Sequence, residues 1–190
     1  MLFLHFENLI KEKKKMKKTK LVPLTQFYCD ECGGIIENPQ DGAVEWEDVP
    51  SKNSNTYKYF VRGFRIVHKT FKSPFKENRE NGCFKYNGKF RKWGELTSFL
   101  EYKNQQLFHF LDLGFMHDPD DEIGCQVTNM KEFVDFAKRL TIPYYEEARR
   151  YFQTVLEDGY FGDQNEIGLF LEETLESIIE RYAPTLPIEK

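Results

Sequence analysis

Cys29 and Cys32 stand two residues apart in the run Y-C-D-E-C-G-G from Tyr28 to Gly34. Thiols at that spacing, closed by glycines that let the backbone turn sharply behind them, face one point and form half of a tetrahedral zinc site. The other half has to come from further along the chain, where His68, Cys83, His117 and Cys125 are of the right type. His68 and Cys83 are preferred. They belong to two segments that read as β-strands, Phe64 to Lys69 and Cys83 to Tyr86, and folding these back brings both residues beside the first pair. A set of Cys29, Cys32, His68 and Cys83 leaves no position for water, so the expectation is one structural zinc per chain and not a catalytic ion.

Two other uses of a Cys-x-x-Cys pair fit less well. A redox dithiol is expected at the start of a helix in a β-α-β setting, where the helix end lowers the thiol pKa. Gly33 and Gly34 follow at once here, and no such helix begins. A disulfide scaffold needs more than 4 cysteines in 190 residues and a secretory context. The apolar stretch at the N-terminus precedes its lysines, the reverse of a secretory signal, so the expectation is a cytoplasmic protein with reduced thiols.

The elements that must position these residues divide by composition. Residues 1–20 hold a short apolar segment and the lysine run Lys11 to Lys20, and read as a flexible tail. Residues 21–93 read as β. Gln26 to Tyr28 leads into the Cys-x-x-Cys turn, Ile35 and Ile36 lead out, and Ala43 to Glu47 forms a strand. Tyr57 to Val61 and Phe64 to Lys69 are strands interrupted at Arg62-Gly63, which suits a hairpin or a bulge. Asn87-Gly88 suits a type I′ turn between Cys83 to Tyr86 and Lys89 to Trp93. Residues 94–190 read as helical: Glu95 to Tyr102, Gln105 to Leu113, Met130 to Leu140 capped by Thr128 or Asn129, a helix carrying Pro143 in its first turn and ending at Gly159, and a last helix running to Pro184. The fold expectation is α+β: a small zinc-stapled antiparallel β module followed by a helical region of four to five helices. A module of about seventy residues has a marginal core, and an ion's binding energy becomes folding energy.

Charge is distributed unevenly. Residues 1–92 carry 19 Lys and Arg against 11 Asp and Glu, and residues 93–190 carry 8 against 20, although the whole chain is only at −4. Ser51 to Lys92 concentrates 12 cations, interleaved with aromatic rings, against Glu77 and Glu80 alone. Such a stretch can place cations on phosphates and rings on bases. With strand alternation, Lys58, Arg65, Lys85 and Lys89 form the outward patch and are the candidate nucleic-acid contacts.

Catalytic constellations are weak. Asp118, Asp120, Asp121 and Glu122 beside His117 lack the glycine and terminal glutamate of a calcium loop and read as an acidic linker. Glu146, Glu147, Arg149 and Arg150 read as ion pairs on an exposed helix face. Phosphate loops and the H-E-x-x-H and G-x-S-x-G motifs are absent from the sequence. Cys125 reads as a buried small hydrophobe. No apolar run approaches the roughly 20 residues that span a bilayer.

In Y-C-D-E-C-G-G-I-I, D-G-A-V-E-W, G-F-R-I-V-H and C-F-K-Y, residues 28–86 resemble small uncharacterised bacterial proteins that carry one zinc-ribbon module. The resemblance implies the ligand role for Cys29, Cys32, His68 and Cys83 and implies no activity. Together these readings give a non-enzymatic zinc-binding adaptor or regulatory protein acting through a protein partner. Nucleic-acid binding is the alternative, and no membrane insertion is expected.

Overall fold

The computed structural model describes residues 21–50, 59–74, 82–85, 91–101, 105–112, 125–160 and 168–183. The tail 1–20, Lys58, Lys89, the Asn87-Gly88 turn, His117 and the acidic segment 118–122 lie outside them, as does the side chain of Cys125.

The architecture is α+β. Strands β1 (Phe27–Tyr28) and β2 (Ile35–Ile36) form a small antiparallel ribbon around the Cys-x-x-Cys turn. A second sheet has the order β5-β3-β4-β6, from β3 (Gly42–Pro50), β4 (Tyr59–His68), β5 (Arg91–Glu95) and β6 (Cys125–Val127). The β5-β3-β4 ladders are antiparallel, but β6 joins the free edge of β4 in parallel, so the sheet is mixed at one margin.

Of the two alternatives for the break at Arg62-Gly63, the structure has the bulge and not the hairpin: Tyr59–His68 is one strand. Glu45 pairs with Arg65 and Glu47 with Arg62, so Gly63 and Phe64 together oppose Trp46. The extra residue needs a left-handed backbone, and Gly63 supplies it at φ 66°. The Phe64 N–H is bonded instead by Glu132 Oε1 at 2.7 Å. One expectation for the strands is corrected: Cys83 to Lys85 do not form a strand paired with Arg91–Glu95. They are irregular, and β5 pairs with β3.

Alternation across the bulge sorts the side chains. Val44, Trp46, Phe64 and Ile66 share one face, and Glu45, Glu47, Arg62 and Arg65 share the other. Helices α1 (Leu96–Glu101), α2 (Gln105–Asp112) and α3 (Met130–Thr141) bring Leu96, Phe99, Phe110, Phe133 and Phe136 into one buried cluster with Phe27, Val44, Phe64 and Ile66. Phe64 lies at its centre, with ring centroids 5.1 Å from Phe136 and 5.2 Å from Phe110 and Phe133. Asn129 caps α3, accepting from Glu132 N at 3.2 Å.

Because these helices cover the ring-bearing face, the compact unit does not stop at residue 93 but runs from Pro23 to Glu146. Residues from Glu147 onward belong to a second unit. The expected single helix from Pro143 to Gly159 is broken. Tyr144 has φ 64°, α4 (Tyr145–Ala148) is one turn, Arg149–Tyr151 tightens to a 3-10 turn, and α5 (Phe152–Glu157) ends before Gly159 at φ 64°. In α6 (Glu172–Tyr182), Leu175, Ile178 and Ile179 are buried, and the Arg181 guanidinium lies over the rings of Tyr160 and Tyr182. No helix among the described residues is long and apolar enough to cross a membrane.

Candidate metal centre

The turn that carries the first two cysteines is built by its own backbone. Cys29 N donates to Gly34 O at 2.8 Å and Gly33 N to Cys29 O at 2.8 Å, which folds the segment over itself between β1 and β2. Gly33 takes φ 71°, open to glycine at no steric cost. The turn points both sulfurs to one side, and Gly34 N donates to Cys32 Sγ at 3.4 Å.

His68, the last residue of β4, arrives from across the core. Its Nε2 lies 3.1 Å from Ile35 O, an acceptor, so Nε2 donates there and Nδ1 is the ring nitrogen turned to the sulfurs. Nδ1 is 3.5 Å from Cys32 Sγ. Cys83 comes from the irregular segment 82–85, anchored by Ser73, whose hydroxyl accepts from Cys83 N at 3.2 Å and donates to Cys83 Sγ at 3.3 Å. Lys85 N, two residues on, donates to Glu45 Oε1 at 2.5 Å.

One ligand atom from each of Cys29, Cys32, His68 and Cys83 lies within 4.8 Å of the others. A tetrahedral ion with ordinary zinc–sulfur and zinc–nitrogen bonds sets its ligand atoms roughly 3.5–3.8 Å apart, so three thiols and one imidazole at these separations fit a metal ion such as zinc. Cys29 and Cys83 are 2% and 0% exposed, and both belong to the hydrophobic core cluster. Burial pushes the Cys83 thiol up to about 12, reinforced by Cys29 and Cys32 against the Ser73 hydrogen bond, and burial likewise raises Cys32. Without a cation these sulfurs hold their protons, whereas a bound cation reverses that preference.

Behind the turn lies a second polar cluster that the sequence reading missed. Arg139 of α3, 4% exposed, donates from Nε to Glu146 Oε2 at 2.6 Å and from Nη2 to Glu146 Oε1 at 3.0 Å. Its Nη1 reaches Asp30 Oδ2 at 2.7 Å and its Nη2 reaches Tyr28 O at 3.3 Å. Burial opposes the charge on Arg139, but Asp30 and Glu146 outweigh it and raise its pKa above the ordinary arginine range. Glu146 and Glu147 are therefore not an exposed ion-pair face: they are 5% and 1% exposed, and Glu147 accepts from the Tyr151 hydroxyl at 2.9 Å. The i, i+7 spacing of Arg139 and Glu146 spans a helix end and the left-handed Tyr144, so no helical pattern marks it.

Of the outward basic patch, Arg65 and Lys85 are described, and both are already paired. Arg65 donates to Glu45 at 2.6 Å and to Glu31 at 2.8 Å, and Lys85 lies 3.3 Å from Glu31. Burial would raise the Glu31 carboxyl, but Arg65 and Lys85 prevail and hold it below its usual value. No family model, curated protein or solved structure matches this chain.

Proposed function

We propose that the chain holds one zinc ion through Cys29, Cys32, His68 and Cys83, as a structural staple in a zinc-ribbon-like module. On that staple it acts as a non-enzymatic adaptor or regulatory protein through contacts with another protein. The single observation that carries the reading is the convergence of three thiols and one imidazole within 4.8 Å at the edge of the core. Four protein ligands complete a tetrahedron, and such an ion contributes folding energy while offering no site to a substrate.

The protein-contact reading draws on the surface. Phe71, Phe108, Met130 and Val134 are exposed, while Arg65 and Lys85, which a phosphate backbone would need, are engaged by carboxylates of the same sheet module. Elemental analysis of untagged protein purified without chelator is expected to return one zinc per chain, and a content near zero would overturn the assignment. Capture of partners from the native host should survive nuclease treatment. Loss of every partner under nuclease would favour nucleic acid instead.

A further inference from the structure

The metal centre is held from behind by residues that do not touch it. Asp30 sits between the two cysteines of the turn, and its amide donates to Ile66 O at 2.8 Å. Its Oδ2 accepts from Ile66 N at 2.7 Å and from Arg139 Nη1 at 2.7 Å. Ile66 lies two residues before His68 on β4, so this ring of bonds sets where Cys29 and Cys32 stand along the strand that delivers the imidazole. Tyr28, the neighbour of Cys29 on the other side, has its N–H bonded to Glu146 Oε1 at 3.0 Å and its carbonyl to Arg139 Nη2. Both flanks of Cys29 are thus fixed by one buried guanidinium and its two carboxylates.

A buried ion-pair cluster is weak evidence for stability, because apolar side chains of similar volume fill such a space as well or better. What charged groups supply here is direction. The Arg139 bonds to Asp30 and Tyr28 O and the Glu146 bond to Tyr28 N all end on the residues that flank Cys29, much as outer-shell groups orient metal ligands. We propose that Asp30 and Arg139 are positioning residues of the metal centre, fixing the Cys29–Cys32 turn against His68 at the separation a tetrahedral ion requires. The inference rests on the metal reading above and deepens it: affinity for the ion depends on two residues outside the ligand set.

The test uses the full chain, stripped of metal and kept reduced, with cobalt(II) as the spectroscopic probe and zinc in competition with a chelator for affinity. The parent should show the thiolate-to-cobalt band of a tetrahedral sulfur-rich site. Asp30→Ala and Arg139→Met should weaken zinc binding by roughly 10- to 100-fold. Asp30→Asn should stay close to the parent, because its one side-chain oxygen can accept both N–H groups that Oδ2 accepts. Phe133→Leu, which loosens α3 in the ring cluster away from the turn, should leave the affinity unchanged.

Parent-like affinity and spectrum in Asp30→Ala and Arg139→Met, or an equal loss in Phe133→Leu, would show that the cluster only fastens the helix and would overturn the proposal alone. If Arg139→Met does not fold, the comparison of Asp30→Ala with Asp30→Asn decides. A parent that gives no thiolate band and takes up no zinc overturns the metal reading together with this one.

Discussion

The cluster of Cys29, Cys32, His68 and Cys83 and the cluster of Arg139, Glu146 and Asp30 both gather side chains from distant segments, and both lie against the same turn. Their chemistry differs in kind. The thiol cluster could hold a metal ion such as zinc, and because cysteines bind a metal as thiolates, its contribution to folding would arrive only with that ion. The arginine cluster supplies its own counter-charges, complete in the polypeptide alone, with desolvation opposing most of what the pairing gains. One cluster should therefore be conditional on solution chemistry and the other permanent.

Removing one ligand is expected to have the largest effect. In zinc-finger peptides the ion contributes roughly 10–16 kcal/mol, comparable with the entire stability of an ordinary domain. Cys83→Ser should accordingly release the ion and abolish cooperative unfolding of the sheet. Circular dichroism and Trp46 fluorescence read this, since Trp46 packs 5.1 Å from Phe110 in the core. Cys125→Ser should keep its zinc. Retained metal and an unchanged melting curve in Cys83→Ser would erase the contrast between the clusters.

The arginine cluster should respond to how it is broken. Arg139→Met alone leaves Glu146 and Asp30 without their cation and should lower stability by roughly 3–5 kcal/mol. Adding Glu146→Leu removes one of the two carboxylates that faced the guanidinium and should return a good part of that loss, measured by urea denaturation of the zinc-loaded protein. A double variant no more stable than the single one would mean that the pair is strongly favourable in itself.

A smaller effect probes what the two clusters share. The bulge sets the phase in which Ile66 meets Asp30 and His68 meets the thiols, and Gly63→Ala places a side chain where φ is 66°. The expected loss is about 1 to 2 kcal/mol. If instead the strand slips to relieve the strain, zinc affinity falls as well, and chelator competition separates the two outcomes.

The smallest effect lies in the second unit, where the buried Glu147 accepts from the Tyr151 hydroxyl. Burial and Glu147 push the Tyr151 hydroxyl up to about 12. Between the ordinary value near 10 and that figure, the folded chain keeps a proton that the unfolded chain has lost, so stability falls as pH rises through this window. Tyr151→Phe should lose about 1 kcal/mol at neutral pH and flatten the alkaline decline by up to one proton. Urea midpoints at pH 9 and 11 measure both, and a slope equal to the parent's would assign the decline to other groups.

The charge pattern carries its own lesson. The sequence divides into a cationic half and an anionic half, yet the deepest described ion pair between them joins Arg139 of the anionic half to Asp30 of the cationic one. Among the paired residues of the basic stretch, Arg65, Lys85 and Arg91 find their carboxylates on Glu31, Glu45 and Glu47 within the sheet module. Net charge describes a far field. Pairing is decided at contact distance by which backbones lie side by side.

Much of the site is written locally. Cys29, Cys32, Gly33 and Gly34 identify themselves because a tight turn needs a positive φ, and metal donors two residues apart can face one point. His68 and Cys83 could be singled out because the chain holds only 4 histidines and 4 cysteines, and strand alternation puts Arg65 opposite Phe64 and Ile66. A cap at Thr128 or Asn129 was legible for the same short-range reason, and the structure uses Asn129. Arg139, Glu146 and Asp30 had no such mark, for they are 3 among 58 charged residues, and a buried charge differs from a solvated one only in what is folded over it. The extension of the compact unit past residue 93, the β5 pairing with β3 and the parallel docking of β6 were likewise settled in three dimensions. Short-range sterics fix turns, caps and alternation residue by residue, whereas long-range partners are chosen by the joint burial of apolar faces that no single segment contains.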